Sequence, residues 1–366
     1  MKPFVISGIY SKTELEIIYD LIYGICTIRK MKSKKSLYAL TFDAIRVKRF
    51  EILRRGMIYM AYEEARKKLR GSICPVITPF TEDGVVDEQT FKQLVNWQIE
   101  SGSHGISVTG TSGEPSSLTI AERKRIMDLA TEAIDSRVIF TPGTGSTNHD
   151  ETMELTKYAE EIGADAAMVI VPYYNKPNQE ALYQHFKTVA DSVDIPIIIY
   201  NIPGRTATNM EVQTMKRLVE DCPNIIGAKE SNKDFEHVNR VLLNCGRDFL
   251  LYSGIELLCY PILAIGGAGF ISATANVDPK RVAALYNAWD EGDIQKAQDL
   301  HFELMPLNDV LFKDTNPAPA KAALGMMGKI TPQLRLPMGL PSTELQREIR
   351  ETLVGLHLIS QEPVHK

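Results

Sequence analysis

A chain of 366 residues, 44% hydrophobic and 24% charged, has the composition of an ordinary globular protein. Its net charge of -5 lacks the basic footprint of a nucleic-acid binder, and no stretch reaches the roughly 18 uninterrupted apolar residues of a membrane span. Five cysteines, Cys26, Cys74, Cys222, Cys245 and Cys259, form no C-x-x-C pair, and the seven histidines show no metal-ligand spacing. Reduced thiols in the cytoplasm and no metal are therefore expected.

The first 59 residues differ from the rest. They hold seven Lys and five Arg against three Glu and two Asp, a net of +7, which leaves -12 for the remainder. One reading is a basic amphipathic arm that touches a membrane or a partner. The simpler one is an extension outside the working protein, with Met57 or Met60 as a sensible start. The expected organisation is a basic extension over 1–59, a barrel over 60–292 and C-terminal helices over 293–366.

From Ser72 onward apolar runs alternate with segments of helix length. The runs at 74–80, 105–110, 137–143, 166–174, 196–201, 225–230, 249–254 and 269–274 read as eight strands. Between the first two, Phe91, Leu94, Val95 and Ile99 recur at helical spacing and Gly102 ends the pattern. After the second, Thr119 with Glu122 three residues on reads as a capping box. The seventh and eighth units look tighter, with less room for a helix. Strand after helix after strand, eight times, predicts an α/β fold, a (β/α)8 TIM barrel with a C-terminal helical extension. Pro306, Pro317, Pro319 and Pro341 punctuate that extension.

Such a barrel carries its chemistry at the C-terminal ends of the strands. The sixth run, IIGAKE, delivers Lys229 to the end of a strand that reads as covered on both faces. Burial pushes a lysine toward its neutral form, and a neutral amine beside a carbonyl is what Schiff-base chemistry requires. The plain alternative is a surface lysine paired with Glu230. The other strand ends are polar as well. In GTSGEPSS (110–117) the glycines let backbone amides approach a small carboxylate while Thr111 and Ser112 offer hydroxyls; alternatively it is a turn leading to the Thr119 cap. PYYNKP (172–177) carries two tyrosines that packing alone would explain. In YNIPGRT (200–206) a tyrosine hydroxyl and the planar fork of Arg205 could face one mouth.

Taken together, GTSGE, PYYNKP, YNIPGRT, GAKES and GFISATANV resemble, in order, the motifs of the dihydrodipicolinate synthase / N-acetylneuraminate lyase family of pyruvate-dependent class I aldolases, over about Ser72 to Leu358. The resemblance implies that Lys229 forms a Schiff base with pyruvate and that Tyr200 relays protons beside it. It implies that Thr111 links Tyr200 to Tyr174, the latter inserted from a neighbouring subunit of a homotetramer. Ser112 would hold the pyruvate carboxylate, Ile271 would line the pocket, and Arg205 would receive the carboxylate of a small aldehyde, L-aspartate 4-semialdehyde. The implied reaction condenses the two on the way to diaminopimelate and lysine, without a cofactor. The alternative is another pyruvate-dependent aldolase or hydratase of this family acting on a different keto acid.

The chain departs from the family pattern in three places. Ser112 replaces a threonine of G-T-T-G-E and keeps the hydroxyl. Pro115 and Thr147 stand where lysine-inhibited members carry a small polar residue and an asparagine, which puts that inhibition in doubt. A more distant possibility is a phosphate-binding barrel using GGAG (266–269).

Overall fold

The computed structural model describes residues 60–361. The readings of residues 1–59 lie outside the described residues. The chain separates into a unit Met1–Glu64 and a unit Ala65–Lys366, and the second carries the barrel.

The strands are β1 (Gly71–Pro75), β2 (Gly105–Ser107), β3 (Ile139–Phe140), β4 (Ala167–Ile170), β5 (Ile197–Asn201), β6 (Ile225–Glu230), β7 (Leu250–Ser253) and β8 (Gly269–Ile271). All pair in parallel, in the order β3, β2, β1, β8, β7, β6, β5, β4. A parallel bridge between Gly143 and Met168 closes the ring; there the Thr144 amide donates to Met168 O and the Met168 amide to Pro142 O, both at 2.9 Å. Eight parallel strands closed in this way form the expected TIM barrel.

Helices α1 (Glu88–Glu100), α2 (Ile120–Ile134), α3 (His149–Glu161), α4 (Gln179–Asp191), the single turn α5 (Pro203–Thr206), α6 (Val212–Asp221), α7 (Phe235–Cys245), α8 (Cys259–Ala264) and α9 (Pro279–Asp290) return the chain between strands or follow the last one. Local chemistry explains their ends. Thr119 and Glu122 form the capping box that starts α2, and Asp87, Asn148, Asn178 and Asp234 accept amides at the starts of α1, α3, α4 and α7. Phe186, Val189, Leu218, Val238 and Val241 pack the outer face of the sheet, all fully buried.

Four sequence expectations are corrected. β1 begins at Gly71, not at residue 74, because Gly71 to Ile73 pair with Gly269 to Ile271 of β8 before Ile73 to Pro75 pair with Gly105 to Ser107 of β2. On α1 the buried face takes Gln98 while Ile99 is only half-buried: Gln98 donates to Ala275 O at 2.7 Å and accepts from Ser103 Oγ at 2.9 Å, so its polarity is satisfied inside. The seventh unit is short, as expected, but the eighth carries the full-length α9. GGAG leads into β8, its last glycine being the strand's first residue, at the opposite end of the barrel from the strand C-termini, and a Cβ on Gly269 would stand 2.1 Å from Gly71 O. These glycines permit close packing of backbone, which removes the phosphate-cradle reading.

Beyond α9 come α10 (Ile294–Glu303), α11 (Met305–Leu311), α12 (Ala318–Met326) and α13 (Thr343–Gly355). This extension folds back over the strand C-termini. Lys321 on α12, wholly buried, pairs with the buried carboxylate of Glu114, donates to Gln333 O at 2.8 Å and lies over the Phe80 ring. Arg335 forks onto Glu122, with contacts of 2.6 and 3.0 Å, and also reaches Ser117 O and Gly84 O. The Glu122 carboxyl is held down at about 2 chiefly by that guanidinium. Burial pulls the Lys321 ammonium down to about 8 against the opposing pull of Glu114, so desolvation outweighs the pair's attraction. Such a pair places its partners more than it adds net stability.

Removing one partner is nevertheless expected to be severe. Lys321→Met leaves Glu114 as an uncompensated buried charge and should lower unfolding stability by about 3–5 kcal/mol. Lys321→Met combined with Glu114→Gln should recover much of that loss. Denaturant titration of the three variants checks both, and a single variant within 1 kcal/mol of the parent, on the order of a surface pair's worth, would show that the contact carries no such constraint.

Candidate active site

β6 alternates its side chains across the sheet, and this decides what Lys229 and Glu230 do. Lys229 points into the barrel and is 6% exposed. Glu230, fully buried, points outward under α7, where Asn201 Nδ2 donates to both carboxylate oxygens at 3.1 and 3.2 Å and His237 Nε2 stands 3.5 Å away. Burial pushes the Glu230 carboxyl up, and that carboxyl in turn raises His237. The reading of Lys229 as a surface lysine paired with Glu230 therefore fails: the two occupy opposite faces of one strand.

Inside, register sets Lys229 beside Tyr200 of β5 on one side and Tyr252 of β7 on the other. Its ammonium lies 4.2 Å from the centre of the Tyr200 ring. A cation on that nitrogen is held by the ring face, by about 0.5–2 kcal/mol according to how dry the site is. The lysine reaches this point past Gly254, where a Cβ would sit 2.7 Å from Lys229 Cε and 2.0 Å from Ser231 Oγ. Only a glycine leaves that path open.

A cavity of about 50 Å³ surrounds the amine, enough for a few water-sized groups. Thr111, Ser112, Tyr200, Arg205, Lys229 and Ile271 all line it, so six of the seven residues singled out from the sequence meet in one place. Thr111 Oγ1 is 3.4 Å from the Tyr200 hydroxyl, long for an O–H···O bond but of the loose kind that tightens when substrate arrives. Arg205 is exposed at the rim, with one guanidinium N–H donating to Asn316 O at 3.2 Å. Tyr174 is the one that does not join them: it is 88% exposed and stands in the left-handed region at φ 69°. Such a conformation is uncommon for a bulky side chain.

Beside this cavity opens a cleft of about 620 Å³ that shares Thr111, Tyr200, Arg205 and Asn316 with it. Pro115, Thr147, Tyr173 and Arg123 line its far part. The buried Arg123 donates to Gly143 O and Gly145 O at 2.9 and 3.1 Å, and burial pulls its guanidinium down to about 10, still charged near neutrality. The larger space adjoins the Lys229 cavity at the four residues they share.

Several residues of the site escape a reading of the sequence. Glu256 follows β7 and lines the Lys229 cavity, its carboxylate accepting from the Ala273 amide at 2.8 Å. Burial raises this carboxyl, while the Ala273 amide and the Lys229 charge pull it down. Asn316 and Phe312 come from the C-terminal extension and wall the same cavity. A carboxylate after a predicted strand end is a signal that could have found Glu256. Asn316 sits in an N-P step that reads as a turn, and nothing local marks it as facing Ser112.

Nucleophile, hydroxyls and basic rim can bind a small keto acid at one end and a second anion at the other. Comparison with known proteins agrees with that arrangement. A 4-hydroxy-tetrahydrodipicolinate synthase of Thermodesulfovibrio yellowstonii is 44% identical over 290 residues, 79% of this chain and 99% of the relative. The enzyme of the same name from Thermus thermophilus is 45% identical over 294 residues, 80% of this chain and 98% of its own. The crystal structure of dihydrodipicolinate synthase from Aquifex aeolicus superposes with a TM-score of 0.78 at 41% identity, covering 80% of this chain and all of that one. The model of the dihydrodipicolinate synthetase family matches residues 68–355, and the chain belongs to that family.

Proposed function

We propose that this chain is a lyase of the class I aldolase type that condenses pyruvate with L-aspartate 4-semialdehyde to 4-hydroxy-tetrahydrodipicolinate, a step of lysine and diaminopimelate biosynthesis. The observation that carries the reading is a buried lysine whose amine ends in a small cavity ringed by hydroxyls, in a chain of this family.

The neutral amine of Lys229 attacks the ketone carbon of pyruvate. A proton delivered to the carbinolamine hydroxyl lets it leave as water, and the iminium that remains faces the Tyr200 ring with its positive charge. Removal of a methyl proton gives the enamine, and its terminal carbon attacks the aldehyde carbon of the semialdehyde, whose oxygen takes up a proton. The semialdehyde's own amine then adds to the former ketone carbon and displaces Lys229, closing the ring. The Tyr200 and Thr111 hydroxyls, 3.4 Å apart, move the protons. Ser112 holds the pyruvate carboxylate, Ile271 lines the pocket and Arg205 takes the carboxylate of the semialdehyde.

Tyr174 completes the relay in a neighbouring copy of the chain, in a homotetramer. Supporting this, its exposed ring stands clear of its own cavity in a strained conformation. Among the described residues no helix is long and apolar enough to cross a membrane. Cys74, Cys222, Cys245 and Cys259 are free thiols, which supports a cytoplasmic setting.

Two measurements test the reading. Incubation with pyruvate followed by borohydride should add one reduced pyruvate to the peptide bearing Lys229, and the adduct should vanish in Lys229→Ala; an unmodified parent protein ends the aldolase reading. Arg205→Ala should lower kcat/KM for aspartate semialdehyde roughly ten- to hundredfold, the worth of a hydrogen bond to a charged group, while pyruvate trapping persists. Equal losses for both substrates would mean that Arg205 braces the site.

A further inference from the structure

We propose that Asn316, a residue of the C-terminal extension, is a positioning residue that sets the direction of the Ser112 hydroxyl proton and thereby tunes the site for pyruvate. The inference rests on the reading of Lys229 and Ser112 given above.

The geometry is specific. Asn316 Nδ2 donates to Ser112 Oγ at 3.0 Å, across 204 positions of sequence, and both residues are buried against the Lys229 cavity. A serine hydroxyl has one proton to give and two lone pairs to receive with. A donor fixed on one lone pair prevents the hydroxyl from spending its proton on Asn316. That proton is then available to the cavity, where a carboxylate would accept it. An acceptor at position 316 would do the reverse and turn the proton away.

The rest of the surroundings hold this arrangement still. The Gly110–Glu114 turn is pinned by Thr78 Oγ1, which donates to Gly113 O at 2.8 Å, and by the Glu114–Lys321 pair. Asn316 lies five residues before Lys321, so the same pair anchors donor and acceptor alike. The backbone carbonyl of Asn316 meanwhile receives one N–H of Arg205 at 3.2 Å and leaves the others for an incoming anion. One residue thus supports both ends of the site by different atoms: its side chain holds Ser112 for pyruvate and its carbonyl holds Arg205 for the second substrate.

That division gives the test. Steady-state kinetics and borohydride trapping are measured for the parent, Asn316→Asp, Asn316→Ala, Ser112→Ala and the Ser112→Ala/Asn316→Ala double variant, with melting temperature alongside. Asn316→Asp, nearly isosteric, should raise the KM for pyruvate roughly ten- to hundredfold, since it reverses the hydroxyl and adds a negative charge. Asn316→Ala should raise it several-fold, about threefold or more, and leave the KM for aspartate semialdehyde unchanged, because the backbone carbonyl remains. In the Ser112→Ala background Asn316→Ala should cost nothing further for pyruvate. The proposal is overturned if the parent traps pyruvate and Asn316→Asp keeps its parental KM, or if Asn316→Ala costs as much without Ser112 as with it. Should Asn316→Asp fail to fold, the alanine cycle decides alone. A parent that traps no pyruvate overturns the underlying reading, and this proposal with it.

Discussion

The site depends first on the two-residue period of β6. Because consecutive side chains of a strand leave by opposite faces, Lys229 and Glu230 are forced apart, one into the barrel and one under the helices. Each then meets a different environment. Glu230 is compensated by Asn201 and His237 in the outer layer, where a carboxylate without donors would be costly. Lys229 is left with no carboxylate from its own strand and with an aromatic face as its neighbour. A shift of β6 by one residue would exchange the two and erase the site, so the register against Tyr200 and Tyr252 matters as much as the lysine itself.

The second requirement is a roof. Barrel strands alone deliver Lys229, Tyr200 and Ile271, but Ser112 and Thr111 belong to a single short turn, Thr111–Gly113, and the next residue, Glu114, has φ 55°. A turn of that kind needs external support. It is supplied from more than 200 residues downstream by Lys321 and Arg335, which hold Glu114 and Glu122, and by Asn316, which caps Ser112. The extension after the barrel is accordingly part of the catalytic unit as regards placement, although it contributes no nucleophile.

What could be read in the sequence follows the range of the forces concerned. Strands β4 to β6 and the capping box at Thr119 announce themselves through neighbours a few residues away, and the polar strand ends fall in order around the barrel because the fold repeats. Lys229 is legible for the same reason, since an apolar strand leading to a lysine is a local pattern. Periodicity favours Ile99 over Gln98 because it counts apolarity and cannot see the carbonyl of Ala275 waiting across the core. Asn316 and Lys321 carry no local signal because their partners are remote in sequence. Glu256 sits in the apolar run I-E-L-L and is marked only by being a carboxylate just past a predicted strand end.

Glu256 also bears on how one cavity tolerates a charge that comes and goes. In the proposed reaction the amine is neutral when it attacks and its nitrogen is cationic as the iminium, so an environment fixed for either state alone would penalise the other. A strongly ionised carboxylate against Lys229 would hold it as ammonium. A wholly apolar wall would oppose the iminium. Glu256 lies between these extremes: burial pushes its carboxyl up, toward the uncharged form, while the Ala273 amide and the charge on Lys229 draw it back. The Tyr200 ring on the other side adds a modest attraction for the cationic state that needs no proton.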